Sequence, residues 1–228
     1  MVSGIYKAID AGLVHQLRVE TVSNNLANIN TSAFKKDVIS FQEALNLSYS
    51  SNTDFGLGPI KHSGNELDLA LEGPGFFKIQ TGQGIRYTRN GIFSLDSEGQ
   101  LVTPSGDAVL GDNGPVRISG GVISIGRDGQ IVVDGQSADR LMVVDFEQRD
   151  LLKKEGSLYF DYQGEESEIY EPENINVQQH YLEGANVNPT EEMIKLMEAL
   201  RGFESAQKAI QSISEMTNKM INDVGLVQ

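Results

Sequence analysis

Two carboxylates at alternate positions, Glu66 and Asp68, are the groups in this chain best placed for chemistry. On a strand they share one face, where a pair of acids could act as general acid and base on a glycan. Such pairs are also common on wet strand faces, and nothing catalytic flanks this one. Asp96 and Glu98, before Gly99, have a weakly calcium-like spacing without the full set of loop oxygens, so tight-turn chemistry accounts for them better. His15, His62 and His180 lie far apart and form no metal-ligand motif; His15 falls on an apolar stripe, where a packed imidazole is expected. The pairs Gly56/Gly58, Gly73/Gly75 and Gly82/Gly84 lack the strand-to-helix context of a dinucleotide loop and read as turns. There is no cysteine and no G-x-S-x-G elbow. The expectation is a protein without enzyme activity, cofactor or metal.

The apolar pattern carries more information. From Asn186 to Val224, Leu196, Ala199, Phe203, Ala206, Ile210, Ile213, Thr217, Met220 and Val224 alternate spacings of three and four, with Met193, Leu200 and Ile221 beside that line. This predicts a long amphipathic helix with a heptad seam. Asn188 is its expected cap, Pro189 suits the first position, Glu191 and Glu192 favour the positive end, and Gly225 is the expected stop. A second stripe, Ile5, Ala8, Gly12, His15, Val19, Val22, Leu26 and Ile29, predicts an N-terminal helix from about residue 3 to 27. Ordering a residue costs roughly 1–2 kcal/mol, while burying a large side chain returns roughly 1.5–3 kcal/mol. Neither stripe is therefore expected to stay wet. The two ends should pair as an antiparallel coiled coil, and Ile9, Leu13, Leu200 and Ile221 leave surplus apolar surface for neighbouring molecules.

Between the ends the period changes to two. Asn24, Asn25, Asn28, Asn30, Thr31 and Ser32 should fray the first helix. Residues 48–64 read as an extended linker rich in Ser, Asn, Gly and Pro. Leu67, Leu69 and Leu71 alternate, and Phe77 and Ile79 lead through Thr81-Gly82-Gln83-Gly84 to Ile85 and Tyr87, a hairpin signal. Asp96 to Val102 and Arg127 to Val132 look like one hairpin tip used twice. Short strands at close spacing predict an all-β sandwich or barrel. The expected fold class is mainly β with α-helical ends. Its divisions are 1–30 (N-terminal helix), 31–65 (linker), 66–184 (β-domain and return leg) and 185–228 (C-terminal helix).

With 228 residues the chain can bury a core, and its formal charge of -14 argues against nucleic acid or anionic membrane as main partner. Much of the acid lies between Asp161 and Glu173, which reads as a solvated loop. Lys7, Asp10, Arg18 and Glu20 interrupt any apolar leader, and no stretch predicts direct membrane insertion.

Two separated stretches resemble the signature ends of the flagellar rod and hook axial proteins. Ser23-Asn24-Asn25-Leu26-Ala27-Asn28 through Thr31-Ser32-Ala33-Phe34-Lys35 is similar to N-N-L-A-N, then T, then G-F-K, with Ala33 in place of glycine and a loosened turn expected there. Gly184-Ala185-Asn186-Val187-Asn188-Pro189 through Glu191-Glu192-Met193 resembles S-N-V-N-x-x-E-E-M. Between them, Leu67-Asp68-Leu69-Ala70-Leu71 through Gly73-Pro74-Gly75-Phe76-Phe77 and Tyr87-Thr88-Arg89-Asn90-Gly91-Ile92-Phe93 resemble D-L-A-I-x-G-x-G-F-F and Y-T-R-x-G-x-F.

The resemblance implies a structural subunit of the basal-body rod, a periplasmic shaft, exported through the flagellar type III apparatus without a cleavable leader. Length, Gly111 to Val116 and Arg201-Gly202-Phe203-Glu204 point to one rod paralogue over the distal one. Its implied partners are other rod and axial proteins, copies of itself among them, and the export apparatus. The implied subunit contacts are Ile5, Ile9, Leu13, Val19, Val22, Asn24, Asn25, Leu26, Asn28, Thr31 and Phe34 at one end. At the other they are Asn186, Val187, Asn188, Glu192, Met193, Leu196, Leu200, Phe203, Ile210, Ile213 and Met220. The competing readings are a coiled-coil adaptor with a single partner and, through Glu66 and Asp68, a cell-wall glycan enzyme.

Overall fold

A computed structural model describes residues 2–41 and 49–225. The chain is mainly β with a helix near each end: α1, Val2–Ala27, and α2, Pro189–Gly225. It divides into two compact units. One takes Met1–Ala27, Asp37–Asn52 and Asn188–Gln228; the other takes Asn28–Lys36 and Thr53–Val187.

In the helical unit, α2 starts where its cap dictates. Asn188 Oδ1 accepts from the amides of Thr190 at 3.1 Å and Glu191 at 3.4 Å. The helix opens at Pro189, the expected first position, and includes Gly225 instead of halting before it. The two helices pack antiparallel, and small residues mark the crossing. A methyl built on Gly4 would meet Ile213 at 4.0 Å, one on Gly12 would meet Ala206 at 3.7 Å, and one on Gly202 would collide with His15 at 2.2 Å. Residue numbers fall on α2 as they rise on α1. Strand Asp37–Phe41 joins this unit and pairs with Tyr49–Thr53.

Apart from two 3-10 turns, Arg149–Leu151 and Glu166–Glu168, the regular elements described in the second unit are strands. Its largest sheet has ten described strands, seven of them on one path from Leu152–Glu155 through Tyr159–Tyr162, Gly84–Thr88, Phe76–Thr81, Ala108–Gly111 and Leu101–Val102 to Ser94–Leu95, with Gly114–Pro115, Val143–Phe146 and Ile169–Tyr170 branching from it. The sheets are not closed: the two strands at the ends of that path each have one neighbour on it. The hairpin after Phe76 forms in the register Phe77↔Thr88 to Thr81↔Gly84. Consecutive strand side chains point to opposite faces, so Phe77 enters one core with Leu69, Ile79, Leu101, Val109 and Ile131, while Phe76 enters another with Phe146, Leu152 and Phe160. The repeated tip is also present. Asp96 N bonds Gln100 O at 2.9 Å and Gly126 N bonds Gln130 O at 2.8 Å, with Gly99 and Gly129 at φ 76 and 83.

Three local expectations are corrected. Residues 48–64 are no bare linker, because Tyr49–Thr53 and Ile60–His62 are strands, the latter paired with Tyr181–Glu183. Leu69–Leu71 does not alternate; all three residues are buried, the strand being covered on both faces. The acidic stretch carries strands Tyr159–Tyr162 and Ile169–Tyr170, anchored by the Tyr162 hydroxyl donating to Glu168 at 2.5 Å. No described helix is long and apolar enough to cross a membrane.

Candidate functional site

The groups with catalytic or metal potential disperse. Asp68 is buried and accepts from Asn65 Nδ2 at 2.9 Å, whereas Glu66 is exposed. They precede the strand at Leu69 and do not share a strand face. Asp96 Oδ1 accepts the amides of Glu98 and Gln100, each at 2.8 Å, which is turn chemistry. His62 and His180, distant in sequence, come near each other, with ring centroids 6.4 Å apart, His180 lying at φ 70 just before the strand that pairs with Ile60–His62. Among the described residues no group of three or more His, Asp or Glu could hold a metal ion.

What the structure builds is two buried polar knots and two apolar faces. In the helical unit the Asn25 side chain binds the backbone of Asp37 from both sides: its Nδ2 donates to Asp37 O, and its Oδ1 accepts from Asp37 N, each at 2.9 Å. The same Nδ2 donates to Glu192 Oε2 at 3.1 Å, and Lys195 Nζ donates to Glu192 Oε1 at 2.9 Å. Asn25 and Glu192 are both 2% exposed. One amide thus ties α1, the strand at Asp37 and α2 together. A cavity of about 370 Å³ opens beside it, lined among others by Arg18, Ile39, Lys195 and Glu198.

In the β unit the second knot centres on Glu183. Its carboxylate accepts from Lys35 Nζ at 2.6 Å, from Arg89 Nε at 2.9 Å and Nη2 at 2.8 Å, and from Gly58 N at 2.8 Å. Arg89 also donates to the carbonyls of Leu71, Gly73 and Gly75. All three side chains are nearly inaccessible. Burial pulls the Lys35 ammonium and the Arg89 guanidinium below their ordinary values, and the Glu183 charge opposes that pull. Breaking such a buried set by removing one partner is strongly destabilising, since it strands the others without compensation. Sequence reading quoted Lys35 and Arg89 inside motifs and missed their meeting. Glu183 carried no signal, because a lone acid at the end of a strand is ordinary in sequence.

Several motif residues hold this fold from within. Phe34 is 1% exposed and packs with Ala185, Val187 and Ile29, under the Lys154 ammonium 4.1 Å from its ring centre. Asn186 accepts from Lys36 N at 2.7 Å and donates to Asp54 O at 2.8 Å. Thr31 bonds Asn28, Asn24 is exposed, and Asn188 serves as the helix cap. The expected loosened turn is tight instead: Ala33 sits at φ 58, its amide donating to Glu183 O at 2.8 Å.

Along the helices, Val22 is buried, while Val19, Leu26, Leu196, Phe203, Ile210 and Ile213 are half-buried. The side chains of Ile5 and Met220 lie outside the description. Ile9, Leu13, Met193 and Leu200 are exposed, joined by Tyr6 on α1 and Ile194 and Met197 on α2. Tyr6, Ile9 and Leu13 share one face of α1, and Met193, Met197 and Leu200 share one face of α2. Since the helices are antiparallel, these two apolar faces lie toward opposite ends of the pair.

Three segments match known families. Residues 178–223 match a family described as flagellar basal body rod FlgEFG protein C-terminal. Residues 70–133 match the flagellar hook protein FlgE/F/G D1 domain, and residues 15–35 match flagella basal body rod protein. Over whole chains, the flagellar basal-body rod protein FlgG of Bacillus subtilis (strain 168) is 31% identical, covering 97% of this chain and 99% of its own. FlgF of Caulobacter vibrioides is 30% identical over 100% of both chains, and FlgF of Rhizobium meliloti 28% over 99% of both.

Proposed function

The chain belongs to the FlgF/FlgG family of flagellar basal-body rod proteins, and from that membership we propose that it builds the rod by packing its terminal helices against those of neighbouring axial subunits. It is a structural subunit of the flagellar basal body. Its work is to bear torque, without catalysis. The neighbours are other rod proteins, copies of this chain among them, and the chain reaches a periplasmic position through the flagellar export apparatus. Length, the Gly111–Val116 segment and Arg201 to Glu204 favour the FlgF type over FlgG.

The observation that carries the packing mechanism is the pair of exposed apolar faces. Tyr6 is 64%, Leu13 57%, Met193 56% and Met197 52% exposed on helices whose inner sides are already matched. Apolar surface of this kind, rimmed by charge, marks an interaction site. Ile9, Leu13, Met193 and Leu200 form the contact. The seam residues Val19, Leu26, Leu196, Phe203, Ile210 and Ile213 hold the pair as an antiparallel coiled coil that presents it. Asn25 and Glu192 serve the interface by fixing the ends of the helices.

The test is Leu13→Asp and Met197→Asp, each introduced singly. Both proteins should fold with unchanged circular dichroism, while electron microscopy of basal bodies shows rods arrested and cells are non-motile. Normal rods and swimming in both strains would refute the packing role.

A further inference from the structure

Beside the Glu183 knot, within the β unit, a cleft of about 230 Å³ opens among Lys35, Phe55, Leu57, Phe76, Arg89 and Arg149. Its charges do not balance. Lys35, Arg89 and Arg149 are cationic, and the carboxylates bonded to them are Glu183 and Asp145, which leaves one positive charge in excess. Asp54 is the next acid, but it is engaged by Lys36 at 3.4 Å and by the Gly56 amide at 2.8 Å.

Donors are also left over. Arg89 is saturated by Glu183 and three carbonyls and contributes field alone. Lys35 Nζ serves Gly56 O at 2.7 Å and Glu183, two acceptors for the three donors of an ammonium. Arg149 commits Nε at 3.0 Å and Nη2 at 2.6 Å to Asp145, and among the described residues no acceptor meets its Nη1. A nearly inaccessible ammonium and a half-exposed guanidinium therefore border one opening, in a protein whose overall charge is -14. Low local dielectric makes such an unbalanced charge a strong attractor for an anion. The opposite wall is aromatic: Phe55 and Phe76 meet edge to face with centroids 5.7 Å apart, and Leu57 stands at the rim, 55% exposed.

We propose that this cleft is an oxyanion site, taking a carboxylate or phosphate between Lys35 and Arg149 with any apolar stem against Phe55 and Phe76. The anion can be free in solution or be a carboxylate carried by a second copy of the chain. The site does not depend on the rod assignment.

The test follows the backbone amides of Gly56 and Gly75 by NMR in the full chain, at ionic strength held constant with chloride. Added inorganic phosphate or acetate should shift both amides saturably, and Arg149→Gln should weaken that binding about tenfold, the loss of one charge-assisted bond. Leu57→Glu supplies a carboxylate from the rim; it should raise the unfolding midpoint and abolish the response, and it guards against Arg149→Gln merely unfolding. Saturation by added anion in dilute protein assigns a free ligand. The same shifts on raising protein concentration without added anion assign a carboxylate of a second copy. No saturable shift in any arm, or unchanged affinity in folded Arg149→Gln or Leu57→Glu, would overturn the proposal.

Discussion

Asn25 Nδ2 donates to Glu192 Oε2 at 3.1 Å, a buried bond between residues 167 positions apart. It closes the chain's two signature segments on each other, so that part of what reads as an assembly motif is the latch of the subunit's own helical unit. The consequences of that latch, and of three other features, can be measured.

Asn25→Ala removes three hydrogen bonds at once and leaves Glu192 and the Asp37 backbone short of partners. An unsatisfied buried group costs about 1–3 kcal/mol. We expect chemical denaturation to show the helical unit weakened by that order or more, with hydrogen exchange accelerated at Asp37 and the first turns of α2. Ser23→Ala, at an exposed position, should leave both unchanged.

Gly202→Ala should act with a sign set by its neighbour. In a helix interior alanine is favoured over glycine by about 1 kcal/mol. Here the added methyl would meet His15 at 2.2 Å, and overpacking of this kind costs about 1–3 kcal/mol. The single variant should destabilise. In a His15→Ala background the same change should stabilise, and a double-mutant cycle on unfolding free energies reads the reversal.

Ala33→Gly should be tolerated, unlike most core truncations. Ala33 is buried, and losing its methyl forfeits roughly 0.8 kcal/mol, but its φ of 58 strains any side chain by roughly 1–2 kcal/mol. Thermal unfolding should give a midpoint at or above that of the parent. Ala33→Val, β-branched in the left-handed region, should lower it clearly.

Tyr162 should titrate late. Its bond to Glu168 raises the phenol from 10.0 to about 12. A raised folded value means the bond's contribution is whole below the unfolded value near 10 and fades as pH climbs through about 12. Difference absorbance of the phenolate should show one tyrosine ionising in that upper window. In Glu168→Gln it should ionise earlier, and an unchanged titration would sink the assignment.

The helices were legible because their information is local. The Leu196 to Ile213 spacing and the Asn188-Pro189 start place α2, and Ile5 to Leu26 places α1. Hairpins at Thr81-Gly82-Gln83-Gly84 and at the two Gly-Gln tips were readable for the same reason: turn chemistry is decided by adjacent residues. Short strands such as Ile60–His62 were hidden, because three residues carry no measurable period and exist only by pairing with Tyr181–Glu183.

Burial of charge was invisible altogether. Nothing local in the sequence marks Lys35, Arg89 and Glu183 as buried; tertiary structure brings segments 94 and 148 positions apart onto one carboxylate. The sequence by itself determined where helices and turns form and which apolar stripes need cover. Only the tertiary structure decided which stripe residues are already covered and which polar motif residues are internal, since desolvation and charge pairing depend on what surrounds a group in space and not on its neighbours along the chain.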